Sequence, residues 1–232
     1  MLRLVLSCLF LCLASPALAD SIRVGTTGDY QPVTWWNTET DRFEGQDIDL
    51  VKAFAHAKGH ELIFVRTSWP TLMDDLTAGN FTVAVGGISH TDARARVALV
   101  SNTIRTDGKV ALVRCGEEAR FDSMKKINQP HVRVVENPGG TNEKFARKHI
   151  TIAGLRVVDD NHAPFTALLE GAADVMFTDG IEALYKQSVG AGLCAVNPAA
   201  PYTKISKVFL FSKDRPHLRD SFNEWLENHA GG

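Results

Sequence analysis

Short apolar runs and longer amphipathic stretches alternate along nearly the whole chain, and this alternation restricts the fold more than any other feature. Residues 21–26 read as a strand ending in a turn at Gly28-Asp29-Tyr30-Gln31-Pro32. Residues 47–59 carry Ile48, Val51, Phe54 and Ala55 at helical spacing, with Gly59 as the stop. A strand is predicted at 61–66, a short helix at 69–78, and a strand at 81–85 that runs into Gly86-Gly87. Strand–helix–strand order of this kind makes a parallel sheet with right-handed crossovers. A second set starts near Lys109, with strands at 110–114, 132–135, 155–158 and 173–178 and helices at 121–127, 143–149, 164–170 and 181–188. A strand at 208–212 and a helix at 218–229 close the chain. No low-complexity linker separates the sets. The expectation is an α/β, bilobal protein with a central cleft: lobe 1 from 20–107 and 197–232, lobe 2 from 108–196, hinged near Gly108 and Asn197. Ligands of open α/β sheets bind beyond the carboxyl ends of the strands, where the polar loops of this chain fall.

Residues 1–19 are of a different kind. Arg3, an apolar run from Leu4 to Leu13, and Ala17-Leu18-Ala19 make a secretory signal peptide, too short for a spanning helix. Cleavage before Asp20 predicts an exported chain without membrane insertion, since no later stretch approaches about 20 apolar residues. The 232 residues include 25 basic and 27 acidic groups, a formal charge of −2; losing Arg3 leaves 24 against 27, or −3. That balance offers no basic surface to nucleic acid. Cys8 and Cys12 leave with the signal, and an oxidising compartment favours a disulfide between Cys115 and Cys194 over two separate buried thiols. Neither cysteine has a second Cys or His at ligand spacing, and the eight histidines include no HExxH pairing, so no metal is expected. G-x-S-x-G, G-x-G-x-x-G and Walker loops are also missing from the sequence, which leaves the corresponding hydrolase and nucleotide-binding readings unsupported.

What remains is a set of loop residues suited to a small anion. Asp29 and Tyr30 follow the first strand, Thr67-Ser68-Trp69 the second, and Gly87-Ile88-Ser89 and then Arg94 the third. The second lobe contributes Thr141-Asn142, Asp179 and Glu182. Arg94 can bind a carboxylate through two parallel hydrogen bonds, and Thr141 with the free N–H groups of the next helix can hold another. Gly-Gly-Thr-Asn also serves as an ordinary helix cap. Asp179 and Glu182 admit two readings: acids at a cleft mouth, or acids stabilised by the helix dipole in a first turn. A catalytic Glu182 must be desolvated enough to stay protonated near neutral pH. Trp35-Trp36 either stacks on a ligand or packs within its lobe.

The same loops carry a resemblance. VGTTGDYQP (24–32), TSWPTLM (67–73), GGIS (86–89), NPGGTNEKFAR (137–147) and ADVMFTDGIEA (173–183) follow in order, with CGEEARF (115–121) and GLCAVNP (192–198). Over residues 22–228 the chain resembles the periplasmic cyclohexadienyl dehydratases, built on the type II solute-binding-protein fold. The resemblance implies a carbon–oxygen lyase of phenylalanine biosynthesis that needs no cofactor. Prephenate becomes phenylpyruvate, or arogenate becomes phenylalanine, with loss of carbon dioxide and the ring hydroxyl. The resemblance also places the general acid on Glu182 and a substrate-positioning amide on Asn142. Trp69 becomes a pocket wall, with Asp29 and Tyr30 beside it. By similarity to the amino-acid binders, Ser89 and Arg94 hold a carboxylate, Asp179 holds an ammonium where the ligand has one, and Lys109 adds positive charge. A small anionic substrate is then the partner, and the periplasm of a Gram-negative bacterium the compartment. The chain departs from the family at Gln46, where an aromatic residue is usual, and at Arg105, which sits one place early. The alternative is a periplasmic solute-binding protein that delivers a polar amino acid to an ABC transporter. Glu182 separates the two, since a binder needs no acid facing its ligand.

Overall fold

The computed structural model describes residues 21–229; the predicted signal peptide, residues 1–19, lies outside them. The first half of the chain runs β1 (Ser21–Thr26), β2 (Asp29–Tyr30), β3 (Thr34–Asn37), β4 (Arg42–Glu44), α1 (Gln46–Lys58), β5 (Glu61–Arg66), α2 (Leu72–Thr77), β6 (Val83–Ser89), α3 (Asp92–Val97), β7 (Leu99–Val100) and β8 (Arg105–Asp107). The second half runs β9 (Lys109–Arg114), α4 (Met124–Ile127), β10 (Arg133–Glu136), α5 (Thr141–His149), β11 (Gly154–Val157), α6 (Ala163–Leu169), β12 (Met176–Asp179), α7 (Gly180–Ser188) and β13 (Leu193–Val196). Two elements close the chain, β14 (Ile205–Phe211) and α8 (Pro216–His229).

The strands form two principal sheets with matching order. One is β5-β1-β6-β14-β7, with β8 also on β14. The other is β11-β10-β12-β9-β13, its two ladders joined through the Val134–Val175 bridge. In each, three parallel strands lie side by side, β5-β1-β6 and β11-β10-β12, and the next place belongs to the strand by which the chain crosses over from the other sheet, β14 or β9. Those incoming strands differ from the parallel expectation: β14 is antiparallel to β6, and β9 antiparallel to β12. The reason is directional. β1 and β6 end at the polar loops between the sheets, and β14 starts there, so it must run away from them.

Alternation along the strands sends side chains to both faces of each sheet. Phe209 and Phe211 join Phe54, Phe222 and Leu226 from α1 and α8 on one face. Val208 and Leu210 join Leu72, Leu76 and Phe81 on the other. In the second sheet, Ala111 and Val113 pack with Phe145 and Phe177, while Val110 and Leu112 pack with Phe165 and Leu168. Helices thus cover both faces, as runs such as ALV and VFLF require.

Three local expectations change. The turn at Gly28–Pro32 continues into a small antiparallel sheet, β2-β3-β4. There Trp36 packs edge-on to Phe43 with the Arg66 guanidinium over its ring, a packing role for this tryptophan. The helix expected at 69–78 spans only Leu72–Thr77, because Pro70 disfavours helical backbone at Trp69. The helix expected at 121–127 shrinks to α4, because extended Ser123 interrupts it and leaves Phe121 as a core residue.

Cys115, just past β9, and Cys194 on β13 are bonded to each other. The bond closes a loop of sequence separation 79. A loop of that length predicts that Cys115→Ser with Cys194→Ser lowers unfolding free energy by about 2–4 kcal/mol. Denaturant titration of the oxidised protein and the double variant measures the difference.

Candidate functional site

The polar loops meet between the two sheets around a narrow cavity. Tyr30, Trp69, Ser89 and Arg94 line it from the side of the first sheet, and Thr141, Asn142 and Asp179 from the side of the second. Seven of the ten residues singled out from sequence are therefore wall residues, while Asp29, Lys109 and Glu182 are not in the wall. Asn137 and Asn161 also line the cavity, and sequence reasoning passed over both.

Asp179 is the electrostatic centre. It lies opposite Lys109 in the β9–β12 ladder, which puts both side chains on one face. Lys109 Nζ donates to its Oδ1 at 2.8 Å. Its Oδ2 accepts from the Tyr30 hydroxyl at 2.7 Å and from Lys207 Nζ at 2.5 Å. Burial alone would raise this carboxyl, but the two ammonium groups hold it well below the usual carboxylate range. Lys109 also donates to the Asn142 Oδ1, and Asn142 Nδ2 donates to Asn137 Oδ1 at 3.2 Å. That chain of contacts orients the Asn142 amide.

Lys207 is the residue that sequence reasoning missed. It begins the apolar run KVFLF, is only 1% exposed, and donates to the Gly87 carbonyl and to Ser89 Oγ as well as to Asp179. The signal was a lysine directly abutting a core strand, where a cation needs a buried partner. Burial lowers its pKa, with Asp179 opposing that shift.

On the first-sheet side, Arg94 is buried and its Nη1 donates to the Ser89 carbonyl at 2.8 Å. Burial brings its pKa down to about 10, so it remains a cation at neutral pH. Ser89 Oγ and Thr141 Oγ1 face each other across the cavity at 3.5 Å. Thr141 begins α5 behind Gly140, whose position makes no side-chain cap. Gly140 is the N-cap of α5, so Gly-Gly-Thr-Asn does cap this helix while also lining the cavity. Gly139 explains the close approach: its φ is +76°, and a Cβ there would lie 2.6 Å from Pro70 Cα, beside Trp69. Gly87, at φ +71°, makes room in the same way for the Tyr30 ring, which a Cβ would meet at 2.1 Å. Trp69 meets Tyr30 edge-on at 6.1 Å.

Glu182 lies in the first turn of α7 and is 1% exposed. That burial sets it apart from a solvated acid favoured only by the helix dipole. Its Oε2 accepts from Thr178 Oγ1 at 2.5 Å, and its Oε1 has no partner. Burial, reinforced by the negative charges of Asp179 and Asp29, pushes it up to about 8, so the acid form predominates at neutral pH. Burial also raises Asp29, whose backbone carbonyl accepts from Asn161 across the cavity at 2.8 Å. A second buried acid, Glu136, accepts from the Phe177 N–H and is raised well above its ordinary value by burial.

Among the described residues, the one group of potential metal donors is Cys115, Glu118 and Cys194, and its two sulfurs form the disulfide. Also among them, no helix is long and apolar enough to cross a membrane.

The family model for bacterial extracellular solute-binding proteins, family 3, matches residues 22–230. The chain belongs to that family. Among family 3 relatives, cyclohexadienyl dehydratase of Pseudomonas aeruginosa is 40% identical over 205 residues, covering 88% of this chain and 76% of that protein. The histidine-binding periplasmic protein of Escherichia coli K12 is 25% identical over 244 residues, 100% of this chain and 91% of its own. A crystal structure of an ancestral amino-acid-binding protein, described as a precursor of cyclohexadienyl dehydratase, superposes with a TM-score of 0.84 at 29% identity. That match covers 91% of this chain and 90% of the other. This family 3 protein therefore has the type II bilobal architecture, and it is a homologue of an enzyme as well as of binding proteins.

The raised Glu182 carboxyl has a thermodynamic consequence. Its folded pKa lies above the unfolded value, so the native state binds more protons and loses stability as pH rises from about 4.5 to about 8. Glu182→Gln lacks that loss. Its melting temperature relative to the unaltered protein should climb across this window and level off above it. Parallel thermal melts from pH 5 to 9 measure the difference, and a flat difference would contradict the burial argument.

Proposed function

We propose that the chain is a cyclohexadienyl dehydratase: a lyase that converts prephenate to phenylpyruvate, arogenate to phenylalanine, or both. The observation that carries this reading is Glu182, a fully buried carboxylic acid that is protonated near neutral pH and keeps one oxygen unpartnered. Hydroxide is a poor leaving group from a ring carbon unless it is protonated as it departs. A neutral acid in a water-poor cleft supplies that proton. The bond to the carboxylate carbon breaks at the same time, and its electron pair enters the ring, which becomes aromatic as carbon dioxide and water leave. Arg94, Ser89 and Thr141 hold the substrate's carboxylates, the Asn142 amide orients it, and Trp69 and Tyr30 flank the ring. Delivery of the proton requires the Glu182 carboxyl to turn from Thr178 toward the cavity.

In this reading the two sheets act as lobes, 20–107 with 197–232 and 108–196, which move about the crossings at Gly108 and Asn197. The crossings run side by side: the Tyr202 N–H donates to the Lys109 carbonyl at 2.7 Å, and Asn197 has a φ of +48°. The site of action is the periplasm, consistent with an extracellular family and a predicted signal.

A pure amino-acid binder would use Arg94, Ser89 and Asp179 equally well. It would have no use for an unpaired acid buried behind them, at a cost in stability.

The test is incubation of purified protein with prephenate at neutral pH, reading phenylpyruvate absorbance in alkali. Turnover is expected, and Glu182→Gln should lower kcat by about 10²–10⁴-fold with KM little changed. The acid form is the active one, so kcat should fall as pH rises through about 8. Near-normal turnover by the Gln variant would show that another group is the acid.

A further inference from the structure

Resting on the dehydratase reading, we infer that Asp47 is a positioning residue for the substrate's carboxylates: from outside the cavity wall it holds a bulge in β6 that sets where Ser89 and Arg94 stand.

The β6–β14 ladder is interrupted just before the cavity. Ile88 faces Val208 and Ala84 faces Leu210, so Val85, Gly86 and Gly87 on β6 stand against Phe209 alone. Phe209 bonds elsewhere: its N–H donates to Ser101 Oγ at 2.9 Å, and its carbonyl accepts from the Ser101 N–H at 3.0 Å. On the other side of β6, the β1 ladder ends at Gly25 and Ala84. Among the described residues, neither neighbouring strand pairs with the N–H groups of Gly86 and Gly87, whose φ angles are +115° and +71°. Buried N–H groups need a partner.

Asp47 supplies it from the first turn of α1. Its Oδ2 accepts from the Gly87 N–H at 2.7 Å and from the Gly86 N–H at 3.2 Å. Its Oδ1 accepts from Arg105 Nη2, and the residue is 1% exposed. Two amides and a guanidinium thus satisfy a carboxylate that would otherwise be an unpaired buried charge. Arg105, the residue that sits one place early for the family, provides the counter-charge.

The bulge is continuous with the cavity wall. Gly87 lines the cavity, and Ser89 and Arg94 follow it along the chain. Arg94 Nη1 donates to the Ser89 carbonyl at 2.8 Å. The Gly87 carbonyl accepts from Lys207 Nζ at 3.1 Å, so charged groups hold the backbone on both sides of Gly87. The Tyr30 ring fills the space that a side chain at Gly87 would take. Bulges re-aim the side chains beside them and are enriched next to active sites. With this one pinned, the Ser89 hydroxyl and the Arg94 guanidinium keep their places in the wall. Without Asp47, two buried N–H groups lose their acceptor, and the segment from Gly86 to Ser89 must rearrange to find another.

The experiment measures KM and kcat for prephenate and the calorimetric Kd of phenylpyruvate in the unaltered protein, Asp47→Ala and Asp47→Asn, with a thermal melt of each. Asp47→Ala should raise KM and Kd by about 10- to 100-fold, the worth of one hydrogen bond to a charged group, with kcat little changed. Asp47→Asn keeps an oxygen for the two N–H groups and should lie closer to the unaltered protein than to the Ala variant. KM does not depend on how much of the protein is folded. A merely structural Asp47 would lower the melting temperature and the apparent kcat and leave KM in place, as the Cys115→Ser, Cys194→Ser double variant should. If Asp47→Ala does not melt cooperatively, Asp47→Glu replaces it; moving the carboxylate by one methylene should raise KM by about tenfold. Unchanged KM and Kd in the folded variants, or an Asn variant as weak as the Ala variant, overturns the inference while the dehydratase reading stands. Absence of turnover by the unaltered protein overturns the dehydratase reading instead. The shift in Kd then decides the role of Asp47, and failure of the unaltered protein to bind phenylpyruvate overturns that role as well.

Discussion

Asp179 carries a full negative charge in the interior, and everything around the cavity is arranged about it. Its oxygens are held by Lys109 from its own sheet, by Lys207 from the other, and by Tyr30 of β2. Removing one partner from a buried pair of this sort leaves an uncompensated charge and costs about 3–5 kcal/mol. The same contacts orient Asn142 through Lys109 and fix Ser89 through Lys207. The approach of the two sheets and the position of the cleft's amide thus share one cause.

A second consequence is the divergence of two carboxyls only one helical turn apart. Asp179 meets two cations and stays ionised. Glu182 meets one hydroxyl donor and the field of Asp179, and is pushed toward its neutral form. Pairs of acids driven apart in this way divide the labour of charge binding and proton donation. The separation needs no special residue, only the ionic cluster on one side of the β12–α7 junction and a dry interior on the other.

Much of the architecture was legible because it depends on patterns that survive without neighbours. Runs such as KVALVR and MFTD are strands whatever they pack against, and Gly59 closes its helix in the left-handed conformation expected of it. The loop residues that line the cavity were also readable, because they follow strand ends and strand ends converge. The antiparallel entry of β14 was less accessible, since strand direction depends on where the chain has been. The short helices at Leu72–Thr77 and Met124–Ile127 depended on Pro70 and Ser123, single residues that periodicity averages away.

The sequence by itself determined the two α/β sets, the disulfide partners, and the candidate residues from Asp29 to Glu182, because hydrophobic period, cysteine count and loop position are properties of the chain alone. Only the tertiary structure decided which charges are shared. Lys207 is 28 residues from Asp179 and belongs to the other sheet. No spacing rule links them, and a shifted strand register brings them together. Whether Glu182 is a solvated helix acid or a buried, protonated carboxyl turned on the same thing. Protonation follows from the water and charge around a group, and those are known only when the whole chain has folded.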